Sequence, residues 1–384
     1  MQRDIAIVAQ AQVMTDSLDI PRERMLFDLG KGLFDKVGIT RHDIDGFVLN
    51  SNDFEVGHTI ANVFEDTPCG AYMKDETHVE ADGMWAAQYT TMRLLSGNYD
   101  TALVVGNSSG ASTFRPYLVM DYQLNPTYDR QLGILNELST AALQARAYMA
   151  KYGAEEDDFN EIAARLLRNA ALNPYAVRSK ADATAGDVLA SDYLYEPLRQ
   201  LACYPFTDGA CAMILASGKR AKELTDKPVW IKGMGNSVDT YYVGERDLAT
   251  SKSARMAGER AYKLAGISNP AKQIDVAEVS AKFAYQEPII SEALGLFKEG
   301  SAGKVASKGL ADLGGSMPVC PSGGGLGAYV FTANGLVRVA ECVRQLKGEA
   351  GEAQVSGAKT ALAHSQDGFC AQHNGVMVLS TEEG

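Results

Sequence analysis

An internal repeat constrains the fold of this sequence more than any other feature. Residues 35–50 read DKVGITRHDIDGFVLN, and residues 262–280 read YKLAGISNPAKQIDVAEVS. In both stretches the end of an amphipathic helix is followed by glycine, a polar turn, an Ile-Asp pair and a strand-like run. Similar segments spaced by roughly 230 residues predict two related βαβ-type halves within one chain.

The predicted elements occur in the same order in each half: a strand, a helix that ends at a glycine, and a second strand. In the first half they are predicted at residues 4–10, 22–37 (ending at Gly38) and 44–49. In the second half they are predicted at residues 229–232, 252–265 (ending at Gly266) and 274–279.

The repeat divides the chain into two halves and an insertion. The predicted division is 1–111 with 201–222 for the first half, 112–200 for the insertion, and 223–384 for the second half. We expect the break between the halves in the polar stretch 218–227. The insertion is polar and helix-rich, with helices predicted at 136–152 and 156–171. Such a segment is often a lid or a substrate loop, and a solvated helical face is the alternative.

Composition excludes several classes of protein. The net charge of -12 disfavours nucleic-acid binding, which needs a basic face to neutralise phosphates. No apolar run approaches the roughly 18–20 residues that span a bilayer, and the first residues show no secretory signal. We therefore expect a cytoplasmic protein whose cysteines are buried free thiols. The six cysteines lie at positions 69, 203, 211, 320, 342 and 370.

A dinucleotide-binding enzyme is the alternative at the level of the fold. That class carries a GxGxxG turn directly after its first strand. Here Gln10-Ala11-Gln12 occupies that place, so the sequence disfavours this alternative.

Four stretches, in order along the chain, resemble motifs of the thiolase superfamily. Cys320-Pro-Ser-Gly-Gly-Gly-Leu-Gly327 resembles its NPSGGxLG loop, and 206–213 resembles the DGA segment that opens the last strand of the first half. Residues 278–283 stand where the family has His-Asp-x-Phe or Asn-Glu-x-Phe, and 355–379 match the final strands. The resemblance covers nearly the whole chain and is closest to the SCP-x-like, lipid-transfer-protein branch. It implies an α/β, five-layered αβαβα fold of two duplicated halves, usually dimeric.

The same resemblance shows that the usual nucleophile is missing. The family begins a buried helix with Cys-Ala-Ser-Gly, where the helix dipole favours a thiolate that accepts an acyl group. Here the run is Glu80-Ala81-Asp82-Gly83. Glu80 therefore replaces the cysteine and Asp82 the serine. We expect Glu80 to be a general base with a pKa raised by partial desolvation. Stabilisation of the helix N-terminus is the alternative for both carboxylates.

Other catalytic positions also depart from the family. The histidine of its Gly-His-Pro sequence is absent, and Ala328-Tyr329 follows the glycine loop instead. Ser280-Ala281 replaces the His-Asp or Asn-Glu pair. The resemblance implies a cleft for coenzyme A and an oxyanion hole of backbone amides at this loop. The residues we expect to bind the thioester are Ser322, Gly323, Gly324, Gly325, Ser280, Lys282, Tyr329 and Cys320.

A polar loop near the C-terminus, residues 364–374, adds further candidates. In the family it carries a second catalytic cysteine or a histidine, and His364 matches that position best. Cys370 and His373 lie in the same loop. A packing or surface role is the alternative for both histidines. The spacing follows no familiar pattern of metal ligands, so we expect no metal.

These observations predict an enzyme that acts on an acyl-CoA thioester and makes or breaks the adjacent carbon–carbon bond. Coenzyme A would be part of the substrate, with no tightly bound cofactor. One alternative is true acyl transfer through Cys370 or Cys320, and another is a catalytically silent subunit of an acyltransferase complex. The resemblance also implies a homodimer and a possible small zinc-ribbon/OB-fold partner subunit.

Overall fold

The computed structural model describes residues 3–53, 60–112, 124–134 and 136–383. The strands are β1 (Ile5–Thr15), β2 (Gly46–Asn50), β3 (Asp75–Val79), β4 (Thr101–Ser109), β5 (Tyr193–Tyr195), β6 (Leu198–Arg199), β7 (Asp208–Ser217), β8 (Val229–Val238), β9 (Val276–Glu278), β10 (Thr360–Asp367) and β11 (His373–Ser380). The helices are α1 (Arg22–Val37), α2 (Asn62–Glu65), α3 (Gly83–Leu95), α4 (Glu137–Tyr152), α5 (Glu156–Ala170), α6 (Ala185–Leu189), α7 (Gly218–Leu224), α8 (Lys252–Ala265), α9 (Pro270–Gln273), α10 (Gln286–Ala293), α11 (Ala302–Ser307), α12 (Gly324–Gly327) and α13 (Asn334–Lys347).

Nine of these strands join in one mixed sheet in the order β3-β2-β4-β7-β1-β8-β11-β10-β9. The first five belong to the first half of the chain and the last four to the second half. The halves meet where β1 pairs with β8 over only two residue pairs, Ala6 with Trp230 and Ile7 with Val229. The two halves of the sheet are therefore joined by a short pairing of β1 with β8.

Helices α3 and α13 lie between the two halves. They pack against each other, and each also contacts strands of both halves. Their apolar residues share one core with strand residues of both halves, including Met84, Leu336, Val104 and Met377. Helix α1 covers the outer face of the first half, and α8 covers that of the second. The predicted five-layered, thiolase-like αβαβα arrangement is confirmed.

The two Ile-Asp pairs of the sequence repeat occupy equivalent places. One carboxylate oxygen of Asp45 accepts the backbone N–H groups of Asp100 and Thr101, at 2.9 and 3.0 Å, where β4 begins. One carboxylate oxygen of Asp275 accepts those of Lys359 and Thr360, at 2.8 and 2.9 Å, where β10 begins. The repeat therefore corresponds to a duplicated structure, as the sequence predicts.

The helices whose apolar residues recur at helical spacing have the bounds that the sequence predicts. The predicted helices 22–37 and 252–265 are confirmed, and Gly38 and Gly266 end them with positive φ of 75° and 69°. The two helices predicted in the insertion correspond to α4 and α5. Strand β1 runs on to Thr15 because it pairs with β7 along nearly its whole length. The stretch 218–227, where we expect the break between the halves, contains helix α7.

The prediction of free, buried thiols is confirmed, because all six cysteines are buried and unpaired. Among the described residues, no helix has the length and apolar character needed to cross a bilayer.

Candidate active site

The N-termini of the two central helices meet at one carboxylate. Asp82 caps α3 by accepting the backbone N–H of Met84 at 2.8 Å. Its second oxygen accepts the backbone N–H of Gly335, in the first turn of α13, at 3.0 Å. The hydroxyl of Ser365 on β10 donates a third hydrogen bond. Two helix ends therefore share one buried anion, which suits the positive ends of both helix dipoles.

Burial raises the pKa of Asp82 to about 7, although the hydrogen bonds from Met84, Ser365 and Gly335 oppose this rise. The structure corrects one expectation here. Glu80 has an exposed side chain, so the desolvated environment that we predicted for Glu80 surrounds Asp82 instead. The physical reason is that Glu80 directly follows β3, which lies at the edge of the sheet.

His364 lies in a fully satisfied hydrogen-bond network. The backbone N–H of Ser280 donates to its Nδ1 at 3.3 Å, and its Nε2 lies 2.9 Å from the side-chain oxygen of Asn374. The amide nitrogen of Asn374 donates to Ser253 and Ala371, so its oxygen is the acceptor and Nε2 carries the proton. Burial lowers the pKa of His364 to about 4. The ring is therefore neutral and has a fixed tautomer.

The predicted loop 364–374 is wrong in its bounds: His364 lies within β10 and His373 begins β11, so only 368–372 connect the two strands. The other two candidates, Cys370 and His373, have different neighbours from His364. The Cys370 thiol donates to the backbone oxygen of Thr140 at 3.3 Å, and burial raises its pKa to about 12. His373 packs against Trp85 of α3, with ring centroids 4.1 Å apart, and burial lowers its pKa. The structure therefore connects this loop to both the insertion and helix α3.

Lys282 forms a buried ion pair with the insertion. Its Nζ lies 2.5 Å from a carboxylate oxygen of Glu137, the first residue of α4. The other oxygen of Glu137 accepts the hydroxyl of Tyr204 at 2.9 Å. Burial alone would lower the pKa of Lys282, but the charge of Glu137 raises it above its usual range. The site therefore contains an ammonium group that stays protonated.

Tyr329 lies near both the ion pair of Lys282 with Glu137 and the carboxyl group of Asp82. Its ring centroid lies 5.6 Å from Nζ of Lys282 and 5.1 Å from the ring of Tyr204. Burial raises the pKa of Tyr329, and the charges of Lys282 and Asp82 and a hydrogen bond with Ser280 also act on it. Three predicted residues, Tyr329, Lys282 and Ser280, therefore lie close together and near Asp82.

The glycine loop is buried and closely packed. A Cβ atom on Gly323 would lie 2.5 Å from the Cβ of Ala170 on α5, and one on Gly325 would lie 2.2 Å from the backbone oxygen of Ala281. Gly323 and Gly324 also have positive φ, at 89° and 57°. Glycine is required here because the loop touches other backbone and because its conformation is left-handed.

The polar residues of this loop also bond inside the protein. Ser322 donates its hydroxyl to Glu278 at 2.7 Å. The Cys320 thiol lies 3.3 Å from the backbone oxygen and 3.4 Å from the backbone nitrogen of Val279, and burial raises its pKa. Binding of a thioester by this loop stays a prediction.

Sequence reasoning missed Ser365, Asn334 and Glu137. Ser365 follows His364 on β10, so strand alternation places it on the other face, toward α3; that signal was available. Asn334 donates to the hydroxyl of Ser280 at 2.7 Å and opens α13. Glu137 lies 145 residues from Lys282 in sequence, and no local pattern connects them.

Within the described ranges, no three His, Cys, Asp or Glu side chains converge as metal ligands.

Comparison with known proteins identifies the family. The family described as "Thiolase C-terminal domain-like" matches residues 235–381. The acetyl-CoA acetyltransferase of Methanocaldococcus jannaschii is 31% identical over 358 residues, 90% of each chain. That of Methanothermobacter thermautotrophicus is 28% identical over 375 residues, 95% of this chain and 97% of the relative. Sterol carrier protein 2 of Bos taurus is 32% identical over 227 residues, 57% of this chain and 41% of its own length.

Two solved structures share the fold. The "Ltp2-ChsH2(DUF35) aldolase" has a TM-score of 0.84 at 21% identity and covers 98% of this chain and 97% of its own. The monomeric "SCP2-thiolase like protein type 1" of Mycobacterium smegmatis has a TM-score of 0.72 at 16% identity, over 98% of this chain and 78% of its own. This chain belongs to the thiolase superfamily.

Proposed function

We propose that this chain is an enzyme that acts on an acyl-CoA thioester and makes or breaks the carbon–carbon bond beside its carbonyl, in a Claisen, retro-Claisen or retro-aldol reaction. Relatives named acetyl-CoA acetyltransferase and a structural neighbour named aldolase support this class of substrate and of chemistry. Coenzyme A would be a substrate moiety, with no tightly bound cofactor.

The observation that carries the proposal is the state of the thiols. All six are buried, and burial raises the pKa of every one of them. Acyl transfer through cysteine needs a thiolate, and a raised pKa disfavours that form. At the N-terminus of α3, where the family resemblance places the catalytic cysteine, this chain has the carboxylates Glu80 and Asp82. We therefore propose a reaction that forms no acyl-cysteine.

We assign the proton-transfer step to Glu80. It is the carboxylate at the head of α3 that solvent and a ligand can reach, whereas Asp82 is buried and occupied by three donors. In a condensation, a carboxylate can remove a proton from C2, beside the thioester carbonyl. In a retro-aldol cleavage it can remove the proton of the 3-hydroxyl group, the C2–C3 bond breaks, and its electron pair passes to the thioester oxygen as an enolate. We assign to Lys282, which Glu137 holds protonated, the stabilisation of negative charge that develops on the thioester oxygen.

The test compares variants on two substrates, 3-ketoacyl-CoA with coenzyme A and 3-hydroxyacyl-CoA, with any co-encoded partner present. We expect Glu80→Gln to lower kcat by about 100-fold or more, the usual contribution of a general base. Cys320→Ala and Cys370→Ala should retain activity, and so should Glu352→Gln, which removes an exposed carboxylate outside the site. Full activity of Glu80→Gln would exclude the base role, and loss of activity in either cysteine variant would favour acyl transfer.

A catalytically silent subunit is the second candidate. It is favoured by the internal satisfaction of Asp82 and His364, whose partners all come from the protein itself. Binding of coenzyme A without turnover of either substrate, in the presence of the partner, would support this second function over the first.

We also propose that the protein is a homodimer. Strand β3 is an edge strand, and the residues just before it expose large apolar side chains, namely Ile60, Val63, Phe64, Tyr72 and Met73. Edge strands with apolar surroundings are sites of association. The structural neighbour "Ltp2-ChsH2(DUF35) aldolase" is named with a second component, which supports a partner subunit for this chain. A small zinc-ribbon/OB-fold subunit is the type of partner that the family resemblance implies. Light scattering of the chain, alone and with its partner, tests both assemblies.

A further inference from the structure

One buried amide holds the backbone on both sides of Glu80. Asn50 is the last residue of β2 and is fully buried. Its side-chain nitrogen donates to the backbone oxygen of Val79 at 2.9 Å and to that of Ala81 at 2.5 Å. These carbonyl groups belong to the residues directly before and after Glu80. A single side chain therefore fixes the peptide unit directly before Glu80 and the peptide unit that follows Ala81.

The space around Asn50 leaves it little freedom to move. A Cβ atom on Gly106 of β4 would lie 2.9 Å from the side-chain oxygen of Asn50, and one on Gly83 of α3 would lie 3.1 Å from it. Both distances are shorter than an ordinary van der Waals contact. The side-chain amide of Asn50 therefore packs closely against Gly106 on β4 and Gly83 at the start of α3.

The segment after Glu80 is fixed as well. Asp82 follows two residues later, and its carboxylate binds the first turns of α3 and α13. Glu80 thus lies in a short turn that Asn50 anchors at its start and Asp82 anchors at its end. Preorganised groups of this kind lower the cost of placing a reacting side chain.

The second half of the duplicated fold contains a related contact. Counted from the two Ile-Asp pairs, Asn50 corresponds to Ser280. Ser280 accepts a hydrogen bond from the side chain of Asn334, the first residue of α13, at 2.7 Å. The residue five places after the aspartate thus bonds to the segment just before a central helix in the first half and to the first residue of a central helix in the second. In the first half, the two residues that Asn50 binds lie on either side of Glu80, whose carboxylate is exposed.

We propose that Asn50 is a positioning residue that sets the place of Glu80 for proton transfer. The inference rests on the proposed base role of Glu80 and adds the group through which the fold controls it. Because Asn50 is buried and donates to the backbone oxygens of the residues before and after Glu80, we expect it to act on the reaction through the position of Glu80.

A double-mutant cycle tests this inference. The four proteins are wild type, Asn50→Ala, Glu80→Gln and the double variant, each assayed for kcat and KM on 3-hydroxyacyl-CoA and 3-ketoacyl-CoA and for its urea midpoint. We expect Asn50→Ala to lower kcat about 10-fold or more with a smaller change in KM, and to have no further effect on kcat in the Glu80→Gln background. The urea midpoint should shift equally in both backgrounds, because the structural contribution of Asn50 is independent of the Glu80 carboxyl. Asn50→Ser, which keeps a donor, replaces Asn50→Ala if that variant does not fold.

Asn160→Ala is the matched control, because Asn160 is a buried asparagine of α5 whose side chain donates, among the described residues, to its near neighbour Asp157 at 3.3 Å. It should lower the urea midpoint and leave kcat unchanged. An equal fold-loss of kcat from Asn50→Ala in both backgrounds would overturn the inference and leave the base role intact. Wild-type kcat in Asn50→Ala would do the same. Wild-type kcat in Glu80→Gln would overturn the inference together with the base role.

Discussion

The junction of the two central helices predicts that Gly335→Ala is strongly destabilising. A Cβ atom at position 335 would lie 1.9 Å from the carboxylate of Asp82, 2.7 Å from the backbone nitrogen of Met84 and 2.8 Å from the Met84 side chain. The first distance is about 1.5 Å shorter than an ordinary contact, so the carboxylate has to move away. That movement breaks the hydrogen bond from Gly335 to Asp82 and strains the cap of α3.

The size of the effect follows from these contacts. Overpacking of a closed core costs about 1–3 kcal/mol, and the loss of a hydrogen bond to a charged group costs about 1.5–3 kcal/mol. We therefore expect the free energy of unfolding to fall by about 3–5 kcal/mol, measured by urea titration with circular dichroism. The control is Gly32→Ala on α1, where the residue is exposed and an added Cβ meets no atom within 4 Å. It should raise the free energy of unfolding by about 0.5–1 kcal/mol, since alanine favours a helix. A Gly335→Ala protein within 1 kcal/mol of wild type would refute the reasoning.

Three further predictions concern charge and thiols. The pKa of Asp82 is about 7, against an ordinary 3.8, so its ionisation costs stability; the free energy of unfolding should fall by up to about 4 kcal/mol as pH rises from 4 to 8. Asp82→Asn should show a smaller fall, and superimposable pH profiles of the two proteins would contradict this. Lys282→Met should cost about 3–5 kcal/mol, because Glu137 is left buried without its cation, and adding Glu137→Leu should recover most of the loss; an equally unstable double variant would argue against the pair. A thiol reagent should label no cysteine of the native protein rapidly and all six after unfolding, and fast labelling of Cys370 in the native state would count against its buried position.

The sequence predicts those parts of the fold that depend on residues close to one another along the chain. Helices α1 and α8 were predicted at their observed bounds because apolar spacing and the closing glycines Gly38 and Gly266 are local signals. The duplicated Ile-Asp pairs were visible in the same way, and their equivalent hydrogen bonds follow from one repeated local arrangement.

Long-range contacts decide the remainder of the site. The exposure of Glu80 depends on which strand lies at the edge of the sheet, and the sequence of 75–82 does not contain that information. Glu137 reaches Lys282 only because the insertion folds over the second half. His364 was a reasonable candidate from the family resemblance, although it lies within β10 and not in the predicted loop. Its neutral, fixed state depends on Asn374 and Ser280, which tertiary packing brings to its two ring nitrogens.

The most direct measurement of the central claim is the mass of the intact protein, recorded by mass spectrometry while it turns over a 3-ketoacyl-CoA with coenzyme A. A reaction without a cysteine nucleophile predicts that the protein keeps its unmodified mass at every quench time while product accumulates. A transient increase by the mass of the acyl group, located on Cys320, Cys370 or any other of the six thiols, would contradict the account.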